Sequence, residues 1–434
     1  MTAPLATAEV IAVGSELLGT TRLDTNSLFI SDQLARLGIE LKTKSVVGDD
    51  RGRLADVLRN ALGRADLVIL TGGLGPTDDD LTREAVADVL GLELVEDPAI
   101  TARIRARFQR RGLPMPEVNR RQAMVHRGAR SLPNPNGSAP GIVIETDGKL
   151  VVLLPGPPRE LQPMLTVLCT EGGAIADRAG RERLFTASLY TAGLPESRVE
   201  ELVQPIYSRW RDAAEPISTT ILAAPGQVEI HLTMRSEDRE RATDILERSR
   251  AQLAAALGES VFSIDGRPLP HVVGDLLREA ELTFAAAESC TGGLLLQRMT
   301  DVAGSSAYVK GGVVAYSNEL KIQLLGVDPA LLEAHGAVSE PVAAAMVDGI
   351  RERTGADVCV SITGIAGPGG GSDTKPVGTV VIGVLVAGQP LSLRTHLFPG
   401  GREMVRLQSC QMALDRVRRM LATESTREGT RKRI

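Results

Sequence analysis

The feature that most constrains this chain is a repeated punctuation. Short apolar runs stop at a glycine and hand over to a helical period. Glu9–Val13 (EVIAV) stops at Gly14, and Leu67–Leu70 (LVIL) runs into Thr71–Asp80 (TGGLGPTDDD). Apolar runs of this length, set between helical patterns, read as strands buried on both faces, so a mainly parallel sheet with helices on both sides is predicted. The helical stretches are Thr25–Leu37, with Leu28, Leu34 and Leu37 among its apolar positions and Gly38 as its stop, then Arg53–Leu62 and Thr82–Leu90. Leu41–Val47 adds a strand. Gly141–Glu145 and Leu150–Leu154 form a predicted hairpin around Asp147-Gly148. Ligands of such sheets sit beyond the carboxyl ends of the strands, where the glycines after EVIAV and LVIL fall.

At 434 residues the chain exceeds one ordinary core. Glu171–Arg183, rich in glycine and charge, reads as a linker. Leu184–Ile264 reads strand, helix, strand, helix, a small α+β unit. Gly266–Pro270 (GRPLP) reads as a hinge, and a third α/β unit starts and ends with amphipathic helices. The predicted domains are 1–170, 171–265 and 266–422, followed by a flexible polar tail, 423–434. A formal charge of −5 and 3% aromatics argue against a nucleic-acid partner. The four cysteines form no C-x-x-C and the five histidines no metal pair, which fits reduced thiols in a cytoplasmic protein. No apolar run is long enough to span a bilayer, and no signal peptide is read at the start, so no membrane partner is expected.

Two stretches point to chemistry. In TGGLGPTDDD, glycines let backbone N–H groups approach a phosphate, and the following helix start adds a favourable partial charge. Three successive aspartates would repel a bare phosphate, so a divalent cation such as Mg²⁺ is implied. The competing reading is a glycine turn followed by an acidic helix start. The second stretch is LTFAAAESCTGGLLLQRM, Leu282–Met299, which reads as a buried strand, a junction at Ser289, and a helix whose start suits an anion. Ser289 reads as a nucleophile beside oxyanion-binding amides, or as a helix cap together with Thr291. A serine needs a base. Lys321 falls in the first turn of the helix NELKIQLL, behind the strand Gly312–Tyr316 and a cap at Ser317 or Asn318. A positive charge is disfavoured there, which lowers its pKa. Val358–Ser372 (VCVSITGIAGPGGGS) is a strand and a glycine-rich loop, and Phe398–Arg402 (FPGGR) offers Arg402 as a phosphate fork.

Taken together, Gly14–Leu18, Asp24-Thr25-Asn26, Gly48-Asp49-Asp50, TGGLGPTDDDLT and Leu154–Pro158 resemble the molybdopterin-binding-like domain of the CinA family. AESCTGG, YSNELK, SITGIAGPGGGS and FPGGR, extended by HGAVSEPV and KPVGTV, resemble its C-terminal domain. Stand-alone relatives of that domain are nicotinamide mononucleotide (NMN) deamidases. The middle unit matches the family's small KH-like domain but has no GxxG loop. The resemblance implies a doubly wound mainly parallel N-terminal sheet, a KH-like α+β domain and an α/β deamidase domain. It implies a Ser289/Lys321 dyad that converts NMN to nicotinic acid mononucleotide and ammonia without a metal. Thr291, Gly292, Tyr316, Asn318, Thr363 and Gly364 would hold the carboxamide or its oxyanion, and Arg402 the ribose phosphate.

For the first domain the resemblance implies divalent-metal-dependent hydrolysis of ADP-ribose, with NAD or its adducts as further candidate substrates. Asp49 and Asp80 would be catalytic. Asp79, Asp80 and Glu16 would hold the metal. Ser15, Glu16, Asn26, Gly72, Gly73, Gly75, Thr77, Pro155 and Gly156 would line the ligand site. A homodimer is the family expectation. Three rival readings stay open at this point: a molybdopterin-binding role in cofactor assembly, a non-catalytic nucleotide-sensing partner in competence or recombination, and Cys290 as nucleophile.

Overall fold

A computed structural model of the chain describes residues 3–431, with side chains described as far as Ala422. It forms two compact units. The first is built from the residues up to Phe185 together with Arg235–Thr243. The second is built from Thr186–Met234 and from Asp244 onward.

The first unit contains β1 (Thr7–Val13), α1 (Asn26–Arg36), β2 (Glu40–Val47), α2 (Arg51–Arg64), β3 (Leu67–Thr71), α3 (Thr82–Leu90), β4 (Leu94–Glu96), α4 (Pro98–Gln109), β5 (Met124–His126), β6 (Arg130–Leu132), β7 (Gly141–Thr146), β8 (Lys149–Leu154) and α5 (Pro158–Cys169). Its sheet has the order β2-β1-β3-β8-β7-β6. The pairs β1–β2, β1–β3 and β3–β8 are parallel, and β7 and β6 add an antiparallel edge. Strands β1, β3 and β8 are buried almost throughout because both faces are covered. Ile11, Val68, Leu70 and Val151 pack towards α2 and α3, while Val10, Leu67, Ile69 and Val152 pack towards α1 and α5. This is the expected doubly wound arrangement. The outer strand β2 instead alternates, with Lys42 and Lys44 outermost, as suits an unpaired edge. Asp147 and Gly148 both take positive φ, as the two-residue hairpin between β7 and β8 requires.

Four expectations are corrected here. Leu28 of α1 points outward, and Ser27, Ile30 and Leu34 face the core instead. The predicted linker at Glu171–Arg183 is partly core: Ile175 is fully buried and Ala179 bridges to Leu5, because two apolar residues there complete the α1–α5 face. The predicted hinge at Gly266–Pro270 ends inside a helix, with Leu269 and Pro270 buried in its first turn. The helix at the chain's end continues to Arg431 rather than leaving a loose tail from Thr423, and residues 432–434 lie outside the described residues.

The second unit begins with β9 (Arg183–Ala192), α6 (Glu196–Tyr207), β10 (Ser218–Ala224), β11 (Gln227–Ser236), α7 (Arg239–Leu257) and β12 (Val261–Ser263), where the start of β9, the end of β11 and the start of α7 belong to the first unit. These strands form a sheet of order β10-β11-β9-β12. The sequence reading missed β10 and β12. The first is a half-exposed hairpin arm and the second spans three residues, so neither carries a strong apolar pattern.

The chain then runs through α8 (Leu269–Glu279), β13 (Phe284–Glu288), α9 (Leu294–Thr300), β14 (Val309–Val314), α10 (Asn318–Leu325), α11 (Pro329–His335), α12 (Glu340–Thr354), β15 (Val358–Gly364), β16 (Thr379–Val386), β17 (Ser392–Leu397) and α13 (Arg402–Arg431). The sheet order is β14-β13-β15-β16-β17, with β13 parallel to both neighbours and β16 and β17 antiparallel. β13 is fully buried. Its three alanines let α8 and α13 approach one face and α10 and α12 the other. Ala192 and Phe262 of the small sheet join the same core cluster as Leu269 and Val273 of α8.

Candidate active sites

In the first unit, β1, β2, β3 and β8 all end at one edge of the sheet, and the residues that follow them surround a cavity of about 350 Å³. Gly14 lines it, together with Glu16, Asp49, Gly72, Gly73, Gly75, Asp79, Asp80, Pro155 and Gly156, which the sequence singled out. Asp49 and Ser15 are locked reciprocally: Ser15 N donates to Asp49 Oδ2 (2.8 Å), and Asp49 N donates to Ser15 Oγ (3.0 Å). Asn26 Nδ2 donates to Gly156 O (2.7 Å), and its buried Oδ1 has no partner. Asn26 therefore joins the loops that frame the cavity.

The structure redefines several of these residues. The Asp80 carboxylate accepts from Gly75 N (2.7 Å), Thr77 N (2.9 Å) and Thr77 Oγ1 (2.5 Å). It ties the glycine-rich loop together. Gly75 is needed for that tie, since a side chain there would run into the Asp80 carboxylate. Gly72 (φ 97°) has the same kind of reason: a β-carbon there would collide with the carbonyl oxygen of Val13. Thr77 serves Asp80 and accepts from Arg121 through its carbonyl, so its role is within the loop. Glu16, Asp79 and Asp80 do not gather into a three-ligand metal group, and no such group of His, Cys, Asp or Glu occurs among the described residues. The cavity still presents five carboxylates, Glu16, Asp49, Asp79, Asp80 and Glu160. Such a donor set fits a hard cation held by one or two carboxylates together with ligand phosphates, rather than a closed protein cage. The Thr77 hydroxyl beside Asp79 holds that exposed carboxyl below its ordinary range.

Sequence reading missed Arg83. Its buried guanidinium donates to Leu74 O and Gly75 O (both 2.8 Å) from beneath the loop, and burial lowers its pKa. It also missed the Leu132–Gly141 loop, which brings Ser138 and Ala139 to the cavity wall. The available signal was a run of Pro, Asn and Gly before a strand.

In the second unit, β13 delivers Ser289 to the start of a tight turn. Ser289 N donates to Ile362 O (2.9 Å), and Gly292 N donates back to Ser289 O (3.0 Å). Lys321 reaches the same point from α10, capped by Ser317. Its Nζ lies 3.1 Å from Ser289 Oγ, 3.0 Å from Ala315 O and 3.4 Å from Tyr316 O. Lys321 is only 1% exposed, and its pKa is lowered. The leading cause is burial. Cys290 is buried too, and burial pushes its thiol up to about 12, so it is no thiolate at neutral pH.

The α9 start is not an open anion seat. Glu288, fully buried and unnoticed in the sequence, accepts from Gly293 N (3.0 Å), Leu295 N (3.1 Å) and Leu296 N (2.9 Å). That carboxylate, rather than Ser289 or Thr291, caps the helix. Arg406 clasps the turn from α13 through Thr291 O (2.7 Å from Nη2). The Thr291 side chain is fully buried, with its hydroxyl unpartnered. The Thr363 hydroxyl donates to Ala337 O (2.8 Å), and Gly364 is small because β16 presses on it. Tyr316 and Asn318 are exposed at the rim. Arg402 bridges that rim, donating to Tyr316 Oη (2.8 Å) and Gly367 O (3.0 Å).

Comparison with known proteins gives three matching domain families. Residues 9–171 match the probable molybdopterin binding domain, 186–263 the damage-inducible protein CinA KH domain, and 267–421 the CinA C-terminal domain. The chain is 46% identical over 419 residues to a CinA-like protein of Koribacter versatilis, covering 95% of this chain and 99% of that one. It is 45% identical to a putative competence-damage inducible protein of Moorella thermoacetica, covering 94% and 97%. Among solved structures, competence/damage inducible protein CihA of Agrobacterium tumefaciens is 38% identical over 34% of this chain and 91% of its own, with a TM-score of 0.34. No helix among the described residues is long and apolar enough to cross a membrane.

Proposed function

Since the chain belongs to the CinA family, with a molybdopterin-binding-like domain, a KH-like domain and a CinA C-terminal domain, we propose that its second unit is an amidohydrolase acting on the carboxamide of NMN. The observation that carries this reading is the buried Lys321 amine 3.1 Å from Ser289 Oγ. A neutral amine has two N–H groups and one lone pair. Ala315 O and Tyr316 O take the two donors, which turns the lone pair towards the Ser289 hydroxyl. Ser289 Oγ attacks the carboxamide carbon while Lys321 takes its proton. The C–N bond then breaks, Lys321 protonates the departing nitrogen, and ammonia leaves an acyl-serine. Lys321 next takes a proton from water, whose oxygen attacks the acyl carbon. Nicotinic acid mononucleotide leaves, and the Lys321 proton returns to Ser289. The Cys290 and Thr291 amides follow the nucleophile directly and serve the oxyanion in this scheme. Arg402 and Tyr316 at the rim receive the ribose phosphate. A burial-lowered lysine supports this scheme, because a fully charged amine could not act as base.

For the first unit the cavity supports hydrolysis of a pyrophosphate such as ADP-ribose. Asp49, held by Ser15, faces the cavity, and in this reading Glu16 and Asp79 would hold a divalent cation together with the substrate's phosphates. Such a cation, when bound, neutralises phosphate charge and acidifies a water. The test of the amidohydrolase is ammonia release from NMN. Ser289→Ala and Lys321→Ala should abolish it, and Cys290→Ser should retain it. Retention by Ser289→Ala with loss in Cys290→Ser would overturn the dyad.

A further inference from the structure

A second pocket, of about 210 Å³, lies against the wall of the first unit's cavity. Its floor is α4, which presents Arg103 and Arg107, and its C-cap residue Arg110 completes the row. The spacing of four and three residues places all three guanidinium stems on one helix face. No carboxylate lines this pocket, and none of the three arginines forms an ion pair among the described residues. Other arginines of the same unit behave differently: Arg120 pairs with Glu96 and Glu117, and Arg121 with Asp78 and Glu84. Other arginines of the unit, Arg53 and Arg130 among them, also lack an ion pair among the described residues, but here three converge on one pocket in a chain of net charge −5.

The opposite wall is the 134–140 loop, and that loop is built. Asn134 Oδ1 accepts from Asn136 N (3.0 Å) and Gly137 N (2.7 Å). Asn134 Nδ2 donates to Ala139 O and to Glu160 Oε2 (both 2.8 Å). Arg107 Nη2 donates to Asn136 O (2.8 Å), so one arginine fixes the loop and does not fold back onto the carbonyls ending its own helix. Arg103 and Arg110 have no such partner and are exposed at the mouth. Ser138 lines both spaces, and Glu160 reaches from the cavity wall to Asn134. The two spaces thus share one thin wall.

The geometry points to an anion subsite here, one that takes a phosphomonoester carried by the ligand beyond its pyrophosphate. This rests on reading the cavity as a pyrophosphate site and narrows its substrates to nucleotides with an additional phosphate. Two free guanidinium groups and no acid suit a phosphate dianion, which accepts charge-assisted hydrogen bonds from forks of this kind. A hydroxyl or a base edge would leave both cations uncompensated.

The test uses the full chain and the double variant Arg103→Gln/Arg110→Gln, whose side chains are exposed and have no structural partner. Binding of inorganic phosphate, ADP-ribose and ADP-ribose 2′-phosphate is measured by calorimetry. The wild type should bind ADP-ribose 2′-phosphate about tenfold more tightly than ADP-ribose, as loss of charge-assisted contacts implies. The double variant should lose that preference, lose phosphate binding, and hold ADP-ribose within about twofold. Equal affinity for the two ligands in the wild type, or an unchanged preference in the variant, overturns the subsite. ADP-ribose that binds neither protein, with phosphate still captured only by the wild type, sinks the pyrophosphate reading and leaves the arginines as an isolated anion site.

Discussion

Lys321 illustrates how a residue's meaning depends on its burial. In the sequence it is one lysine in a helical first turn, and most such lysines are solvated. In the fold it is enclosed, and loss of hydration favours its neutral form. The rate of ammonia release should therefore rise as pH climbs through this lowered pKa and level off above it, with the midpoint below the ordinary lysine value of 10.5. Stability follows the same sign: the unfolded chain binds more protons between the folded and unfolded values, so Lys321's contribution grows with pH across that window. Lys321→Met should cost about 10²–10⁴ in rate while leaving the melting temperature unchanged or raised. Thr291 gives the opposite lesson. The sequence places it beside the nucleophile, yet its hydroxyl is buried without a partner. Thr291→Val should keep ammonia release and be neutral or stabilising by about 1 kcal/mol in thermal unfolding.

At the scale of elements, both sites rest on turns that follow strands. The strands were legible because EVIAV, LVIL and LTFAAA are continuous apolar runs. The α-helix Thr82–Leu90 and the β7–β8 hairpin were read nearly to the residue, since glycine and an Asp-Gly pair mark their ends. What the sequence could not display was the partner of each turn residue. Asp80, three residues from Thr77, could equally have faced a ligand, and only the folded loop shows it accepting from Gly75 and Thr77. Glu288 drew no notice in the sequence, but it holds the start of α9. Glu288→Gln should destabilise by about 2 kcal/mol through loss of charge-assisted bonds, and it should lower kcat for ammonia release more than it changes KM, because Ser289 loses its placement. In the other unit, Gly72→Ala must adopt a positive φ beside the Val13 carbonyl. The cost is about 1–3 kcal/mol, read in denaturant unfolding, with ADP-ribose turnover lost and ammonia release retained.

At the scale of the whole molecule, the two proposed chemistries lie in different compact units. Asp49→Asn should therefore silence ADP-ribose hydrolysis and leave ammonia release intact, with Lys321→Ala giving the reverse. One substitution that silenced both would contradict the division. The three-part order was legible from the motif sets, but the grouping was not. Ala192 and Phe262 pack into the same cluster as α8, a long-range contact that no local pattern announces. The first unit is also discontinuous along the chain. It includes Arg235–Thr243, and Arg235 donates to the carbonyl of Gly38 (2.8 Å). During synthesis the first sheet and its cavity can leave the ribosome long before this segment does. The unit must then wait, incomplete at one edge, while the residues between Phe185 and Arg235 are translated. A nascent chain stalled before residue 235 should be more open to protease than one released after residue 243.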